Sequence, residues 1–577
     1  MTIGTIHPLC SLSPEDKILL RQGTDSRLRE IICANIATRF ASSSSSLEDF
    51  RLAVANKDMK NDATIFDDFR RLVSFTEYEA YRPLLMKFKE PPCKLSEVEN
   101  LLTPGLPDFL CKSSSTSGGE QKVFPRRSQT IRDQGITDIS GKIVDIYTII
   151  YRDLLQVATA SGEVVHTIPL TASSVARWRT TMNWSIETDN ARMGSIVPGR
   201  VAPWATGLII HRHSFLFIHA LFALADPHVD QFRVLYLSMF MDIVRLIQAE
   251  WEILLSSIRD GIIPDIEYID HVRAHLQDHM RADPKRVEEL RHIGPPLSCP
   301  GWAQRVWPRL TTLGAICSGV FSTPLPKART VLGPNITIHN FGYGCTEGLR
   351  GRAINFGESG DFFLTNEDVV EFLDITNEQT IDNIVQAWDV RPGTLYQPIY
   401  TSRDGLWRYL IDDILQAVGF HPRNGLPVFK FFARKNLSIR IYACEISETT
   451  LMDVIRIINE GFTKVHEFTT VLDDRDSPET VGFFFEVAED AVGSNVQLIK
   501  QKVLEAFLAI YTDFQQKVDL GRMRQPTVRI VKPGTFMEYR QWRVDGAGVG
   551  ISQVKVPVVM QDSKAIEWMV ERVVMEL

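Results

Sequence analysis

The 577-residue chain is short of several features that would assign it to a large protein class. It has eight cysteines (Cys10, Cys33, Cys93, Cys111, Cys299, Cys317, Cys345 and Cys444), and no two form a Cys-x-x-Cys pair. That spacing argues against a disulfide scaffold and against a structural zinc ribbon. Long hydrophobic runs are missing too. The longest, Phe215–Ala225, spans eleven residues and contains His219, whereas a membrane-crossing helix needs about 20. The first residues, MTIGTIHPLC, hold no basic segment followed by an apolar core, so no signal peptide is expected. Basic excess is absent: 63 Lys and Arg face 71 Asp and Glu, a formal charge of −8. This balance disfavours nucleic acid and anionic membrane as partners. No His-Glu-x-x-His or Gly-x-Ser-x-Gly motif occurs, and His211-Arg-His213 has no third ligand in view, so the histidines read as structural. No fixed-period repeat is visible, which excludes a solenoid or propeller. The expectation is a cytoplasmic protein in a reducing compartment, a monomer or weak homo-oligomer.

What remains is ordinary globular usage, 44% hydrophobic and 23% charged. The length suits about three or four structural units. The first hundred residues read as helices with polar loops, and Ser42–Ser46 as a surface loop. Ile143, Ile146, Ile150 and Leu154 recur at spacings of three and four, which predicts a helix from about Gly141 to Ala158. Gln231–Gly261 is apolar nearly all round and predicts a buried helix capped by Gly261. A more polar helix is expected at Ile266–Met280. From about Leu310, short apolar runs predict strands at Leu313–Val320, Asn335–Gly342, Phe362–Leu364, Val369–Ile375, Val418–His421 and Val428–Ala433, with a strand and turn at Asp404–Asp413. Beyond Arg434, Thr450–Gly461 and Val496–Gln516 read as helices, and Thr480–Val487 and Thr527–Val531 as strands. This predicts a mixed α/β protein with a large domain at 1–434, a hinge near Arg434–Asn436, and a smaller mobile α/β domain at 435–577.

Three segments have the chemistry of a nucleotide site. Cys111-Lys-Ser-Ser-Ser-Thr-Ser-Gly-Gly-Glu-Gln-Lys122 offers hydroxyls and free N–H groups for phosphate, then a cation. It is not a Walker loop, and a plain Ser/Gly surface loop is the alternative. Phe341-Gly-Tyr-Gly-Cys-Thr-Glu-Gly348 follows a predicted strand, where ligands sit in α/β sheets. Tyr343 could stack on a purine, Thr346 offers a hydroxyl, and Glu347 is a hard ligand suited to Mg²⁺. The alternative there is a tight turn with an incidental acid. Asp404-Gly-Leu-Trp-Arg-Tyr-Leu-Ile-Asp-Asp413 ends in two acids, and one carboxylate can accept both ribose hydroxyls. An exposed edge strand is the alternative. In this order the three describe an ATP site for carboxylate adenylation.

These residues resemble the adenylate-forming superfamily. In detail the chain resembles its Gretchen-Hagen-type (auxin-responsive) acyl acid amido synthetase family. The matching stretches are Ser113–Lys122, Trp307-Pro308, Tyr343–Glu347, Gly405–Ile414, Phe420–Asn436, Pro533–Phe536 and Gln553–Pro557. Ser115, Thr346 and Asp412 depart from the family's usual Gly, Ser and Gly.

The resemblance implies a large adenylate-forming-type domain with mixed sheets and packed helices, plus a small C-terminal lid. It implies an ATP- and Mg²⁺-dependent ligase acting on a small-molecule carboxylic acid and an amine, usually an amino acid. Nucleotide contacts fall on Ser114, Ser115, Thr116, Ser117, Gly118, Lys122, Gly319, Val320, Phe321, Tyr343, Gly344, Thr346 and Asp413, with Lys435 as a weaker candidate. Lys555, Thr346 and Glu347 are the expected catalytic residues, and Glu347 the metal ligand. Lys555 lies in the apolar run Val554–Val559, where a solvated surface lysine is the alternative. The acyl pocket is expected near Tyr147–Arg152, through Tyr151 and Arg152, and near Tyr236–Val244. The amine is expected between the loop Ile196–Gly199, through Val197 and Gly199, and the turn Pro533–Phe536, through Gly534 and Thr535. Transfer to a thiol such as coenzyme A, and a non-catalytic nucleotide-binding scaffold, are the rival readings.

Overall fold

A computed structural model describes residues 5–113, 121–133, 141–151, 153–435, 437–441, 444–461, 465–487, 497–511, 514–547 and 550–577. Among these, the fold is mixed α/β, built from several separate sheets. The central one is parallel, in the order Ile143–Ile146, Gln231–Tyr236, Thr312–Ile316, Thr337–Asn340. Its middle strand shows how the sequence sets two faces. Phe232 and Val234 are fully buried in the large core, while the alternate residues Arg233 and Leu235 face a cavity. The helices Arg212–Ala225 and Leu237–Ala249 cover the buried face, and their apolar residues join the same core.

A nine-stranded, mainly antiparallel sheet follows in the chain, and its hairpin Gly342–Gly344 with Arg350–Ala353 leans over the cavity. The N-terminal helices pack on this sheet through Phe69, Tyr81 and Trp407. Arg408 is anchored there by a bidentate pair with Glu371, at 2.8 and 2.9 Å, within the buried layer. The C-terminal residues build a further sheet, Val465–Asp473, Thr480–Val487, Thr527–Val531 and Val573–Glu576, backed by the helices Glu448–Gly461 and Gln497–Ile510. Val544, Ile551 and Val554 leave that block and are buried in the large core.

Several expected elements differ. Gly141–Ala158 is not a helix: Ile143–Ile146 and Asp153–Ala158 are strands of two different sheets. Its isoleucines and valines are β-branched, and pairing with Gln231–Tyr236 decides in favour of the extended state. Gln231–Gly261 begins as a strand, then forms the helices Leu237–Ala249 and Trp251–Asp260, which end at Gly261 with φ 67°. The helix expected at Ile266–Met280 is confined to Asp270–Gln277. Part of the serine run is helical, in Arg39–Ser43 and Ser45–Leu47. Val496–Gln516 is divided between Gln497–Ile510 and Phe514–Asp519.

Candidate nucleotide and acyl-acid site

One cavity of about 800 Å³ lies between the parallel sheet, the helix Ser173–Thr181, the Gly342–Gly344 hairpin and the segment holding Gln553 and Lys555. Among the described residues its lining carries nine cationic side chains and four carboxylates. The chain as a whole is acidic, so this is a local concentration of positive charge suited to a polyanion.

The hairpin places the second motif. Gly342 has φ 99°, and a Cβ there would lie 2.5 Å from the Gly351 carbonyl, so the tight approach of the two strands requires glycine. Tyr343 stacks on Phe362 at 5.0 Å, and its hydroxyl donates to Asp413 Oδ2 at 2.6 Å. Arg434 Nε donates to the other oxygen of Asp413 at 3.3 Å. Each carboxylate oxygen has a further lone pair for a sugar hydroxyl. Tyr343, Gly344, Thr346 and Glu347 all line the cavity. Burial pushes the Glu347 carboxyl up from its ordinary range, and Lys122 opposes this. Burial and the Glu347 charge push the Cys345 thiol well up, so it stays protonated and is a poor nucleophile.

Asp412 and Asp413 line the same cavity, although alternation along an extended strand would point them to opposite faces. The strand begins at Asp413, so strand alternation does not extend to Asp412. Asp412 Oδ2 accepts from Lys122 Nζ at 3.0 Å. This gives the residue a role: it is the counterion that holds Lys122 across the cavity. Ser113, also in the lining, donates its N–H to the Lys122 carbonyl at 2.9 Å and accepts the Lys122 N–H on Oγ at 3.0 Å. Ser114, Ser115, Thr116, Ser117 and Gly118, between these two, lie outside the described residues, as does Arg152.

Lys555 enters from the C-terminal block. Its ammonium lies 5.2 Å from the Tyr236 ring and 5.1 Å from the Phe321 ring, and the two rings stack at 4.2 Å. Burial, with Arg434 nearby, pushes its pKa down to about 7 against the pull of Asp413 and Glu448. Gly319 and Phe321 belong to the turn Gly319–Ser322 that carries this ring, and the Val320 side chain is outside the described set.

Other expected residues sit elsewhere. Lys435 Nζ donates to Gln379 and Gln397 at 3.0 and 2.9 Å and does not line the cavity. Tyr151 packs beside Phe109 and under Arg179. Val197 rests on the large core, and Gly199 accepts the Ile143 N–H at 2.7 Å. Gly534 and Thr535 open the helix Thr535–Ala547, where Thr535 caps back onto the Lys532 carbonyl at 2.7 Å. Motif reading missed Arg434, and it missed Asp145, Arg177, Arg200 and Arg233 in the cavity wall. The basic end of the strand Pro427–Arg434 was a usable signal for the first. The others meet only through the tertiary fold.

The GH3 family N-terminal domain matches residues 53–335, its central domain residues 362–434, and its C-terminal domain residues 449–564. The chain belongs to the GH3 family. A probable indole-3-acetic acid-amido synthetase, GH3.1 of Oryza sativa subsp. japonica, is 24% identical over 540 residues, 88% of this chain and 84% of that protein. Among solved structures, a GH3.15 acyl acid amido synthetase superposes with a TM-score of 0.76 at 19% identity, covering 98% of this chain and 96% of the other. A 2-hydroxyisobutyryl-CoA ligase in the postadenylation state reaches 0.51 at 11% identity, over 98% and 93% of the two chains. The GH3 fold therefore covers this chain nearly end to end, within the wider adenylate-forming architecture.

Proposed function

We propose that the protein is an ATP-dependent acyl acid amido synthetase. It adenylates a small carboxylic acid and passes the acyl group to an amine, an amino acid by the family's pattern. The observation that carries this reading is convergence: Lys122, Tyr343–Glu347, Asp413 and Lys555 come from distant parts of the chain and line one electropositive cavity.

In the first step a carboxylate oxygen attacks the α-phosphorus of ATP, and pyrophosphate leaves. In the second the amine attacks the acyl carbon, and AMP leaves with the oxygen that came from the acid. No protein nucleophile is needed, because positioning and charge stabilisation dominate such transfers. Tyr343 lies against the adenosine, and Asp413 accepts from the ribose. Ser113 and Lys122 frame the phosphate loop. Lys555 stabilises charge that develops on the α-phosphate oxygens. Mg²⁺ is held by one or two carboxylates and otherwise by water and phosphate. Glu347 fits that role, and among the described residues no three-ligand metal cluster competes with it. Bound there, the ion would neutralise phosphate charge.

The thiol acceptor is the second reading, since a coenzyme A ligase shares the architecture. Product analysis with amino acids, hydroxylamine and coenzyme A offered in parallel separates the two. Amide products with amino acids are expected; thioester alone would replace the proposal with its rival.

A further inference from the structure

The cavity has a second polar centre, distinct from Glu347 and Lys555. Asp145, on Ile143–Ile146, stands opposite Arg233 in the parallel register with Gln231–Tyr236. Arg200, just after the turn at Gly199, reaches the same wall and places Nη2 2.6 Å from Asp145 Oδ2. The two side chains are 7% and 5% exposed. Yet Arg200 Nε and Nη1, and Asp145 Oδ1, have no hydrogen-bond partner among the described residues. Buried guanidinium donors left unmade are costly, so the arrangement suits a ligand that completes them. Trp178 lies 5.1 Å from the Arg200 guanidinium and 6.0 Å from the Tyr147 ring, and both rings line the cavity. Burial pushes Asp145 up and Arg200 down, each partly offset by the other's charge. With Arg233 alongside, cations outnumber the single carboxylate, so the ligand group is an anion.

Position selects which substrate brings it. Arg233 is three residues up the strand from Tyr236, beneath Lys555, or ~10 Å at about 3.3 Å per residue. Every residue of this centre comes from the N-terminal region, on the cavity floor. Lys555 and Gln553, from the C-terminal block, line the same cavity and pack beside Tyr236 and Ser174. Under the adenylation reading the nucleotide is held at Tyr343 and Asp413, which leaves the floor to the acyl acid.

We propose that Arg200, supported by Asp145 and Arg233, binds a second anionic group of the acyl acid. The substrate class is then dicarboxylic acids, their spacer lying against Trp178 and Tyr147. This rests on the adenylation reading and adds the substrate class to it.

The test is pyrophosphate release, without amine, over matched pairs of n-alkanoic and α,ω-dicarboxylic acids of about six to ten carbons, the span set by the strand rise. Diacids are expected to have a kcat/KM at least about tenfold above their monoacid partners, as a charged hydrogen bond supplies. In Arg200→Gln, and in the charge-balanced Asp145→Asn/Arg200→Gln pair, that ratio should fall towards one through KM for the diacid. The double variant guards against misfolding from a stranded Asp145 charge; if neither variant folds, the wild-type ratio alone decides. Monoacids equal to or better than diacids would overturn the proposal. So would a ratio unchanged in the folded variants, or a defect confined to the amine step, which would assign Arg200 to the acceptor's carboxylate. Release with monoacids only leaves adenylation standing and removes the dicarboxylate class. No release with any acid removes both.

Discussion

Burial governs how Lys555 titrates, and that makes its role accessible to a pH profile. Its folded pKa of about 7 lies below the ordinary 10.5. Between those values the unfolded chain holds the proton and the folded chain does not, so stability rises with pH across that window. Activity runs the other way. In the free enzyme the cation is lost above pH 7, so kcat/KM for ATP in acyl-AMP formation should fall on the alkaline side. Lys555→Arg keeps its charge and should move that limb upward, whereas Lys555→Ala should slow adenylation more than amine attack on pre-formed acyl-AMP. An alkaline limb that Lys555→Arg leaves in place would assign the titration to another group. At the same scale, Glu347→Gln should cut pyrophosphate release by about 10²–10³-fold with unchanged thermal unfolding, as for loss of a single strong electrostatic contact. Asp413→Ala should raise the ATP concentration needed for half-maximal rate sharply. Asp412→Ala acts through Lys122 instead, and its effect should shrink at high salt. Initial rates against ATP rank the two.

Among the elements, an ionic cluster joins the two parts of the chain. Asp242, fully buried on the helix Leu237–Ala249, is paired with Arg212 and lies 3.2 Å from Arg540 and 3.4 Å from Arg245. Arg245 reaches Glu467 at 2.6 Å, and Arg540 pairs with the same carboxylate, on the strand Val465–Asp473. Burial raises the Glu467 carboxyl, but Arg540 and Arg245 outweigh it and hold the pKa at about 2. The group therefore adds stability above about pH 4.5, and that contribution is lost as pH falls towards 2. Glu467→Gln leaves Arg540 and Arg245 only Asp242, which they share with Arg212, a loss of about 3 kcal/mol. Its melting temperature should drop by several degrees at pH 7, with the gap to wild type closing by pH 2–3. A constant gap would show that the charge is not what matters. These elements also show what the sequence could tell. Thr480–Val487 and Thr527–Val531 were legible because each is a short run rich in β-branched or aromatic residues, a signal that is local. Ile143–Ile146 was not: its spacing fits a helix equally well, and only the neighbouring strand settles the question. Tyr343–Glu347 and Asp412–Asp413 could be singled out in the sequence because each is a short contiguous stretch, and both line the cavity. The Asp145–Arg200 pair was not, because its partners are 55 positions apart and meet only when Gly199 docks on Ile143.

For the whole molecule, the C-terminal block delivers Lys555 to a cavity floored by the N-terminal region, and Val544, Ile551 and Val554 seat it there. We propose that this block reorients between the two half-reactions, with its hinge near Arg434–Asn436; Asn436 itself lies outside the described residues. Closure and reopening of this kind commonly gate multistep enzymes. Asn436→Pro should impair one half-reaction more than the other in single-turnover assays, and equal loss in both would argue against a hinge at that point. The acyl-adenylate itself is the central claim. It is tested most directly by supplying an acid that triggers pyrophosphate release, labelled with oxygen-18 in its carboxylate, together with ATP and an amino acid, and weighing the nucleotide product. The account predicts AMP carrying one labelled oxygen; unlabelled AMP, or ADP with the label in inorganic phosphate, would contradict it.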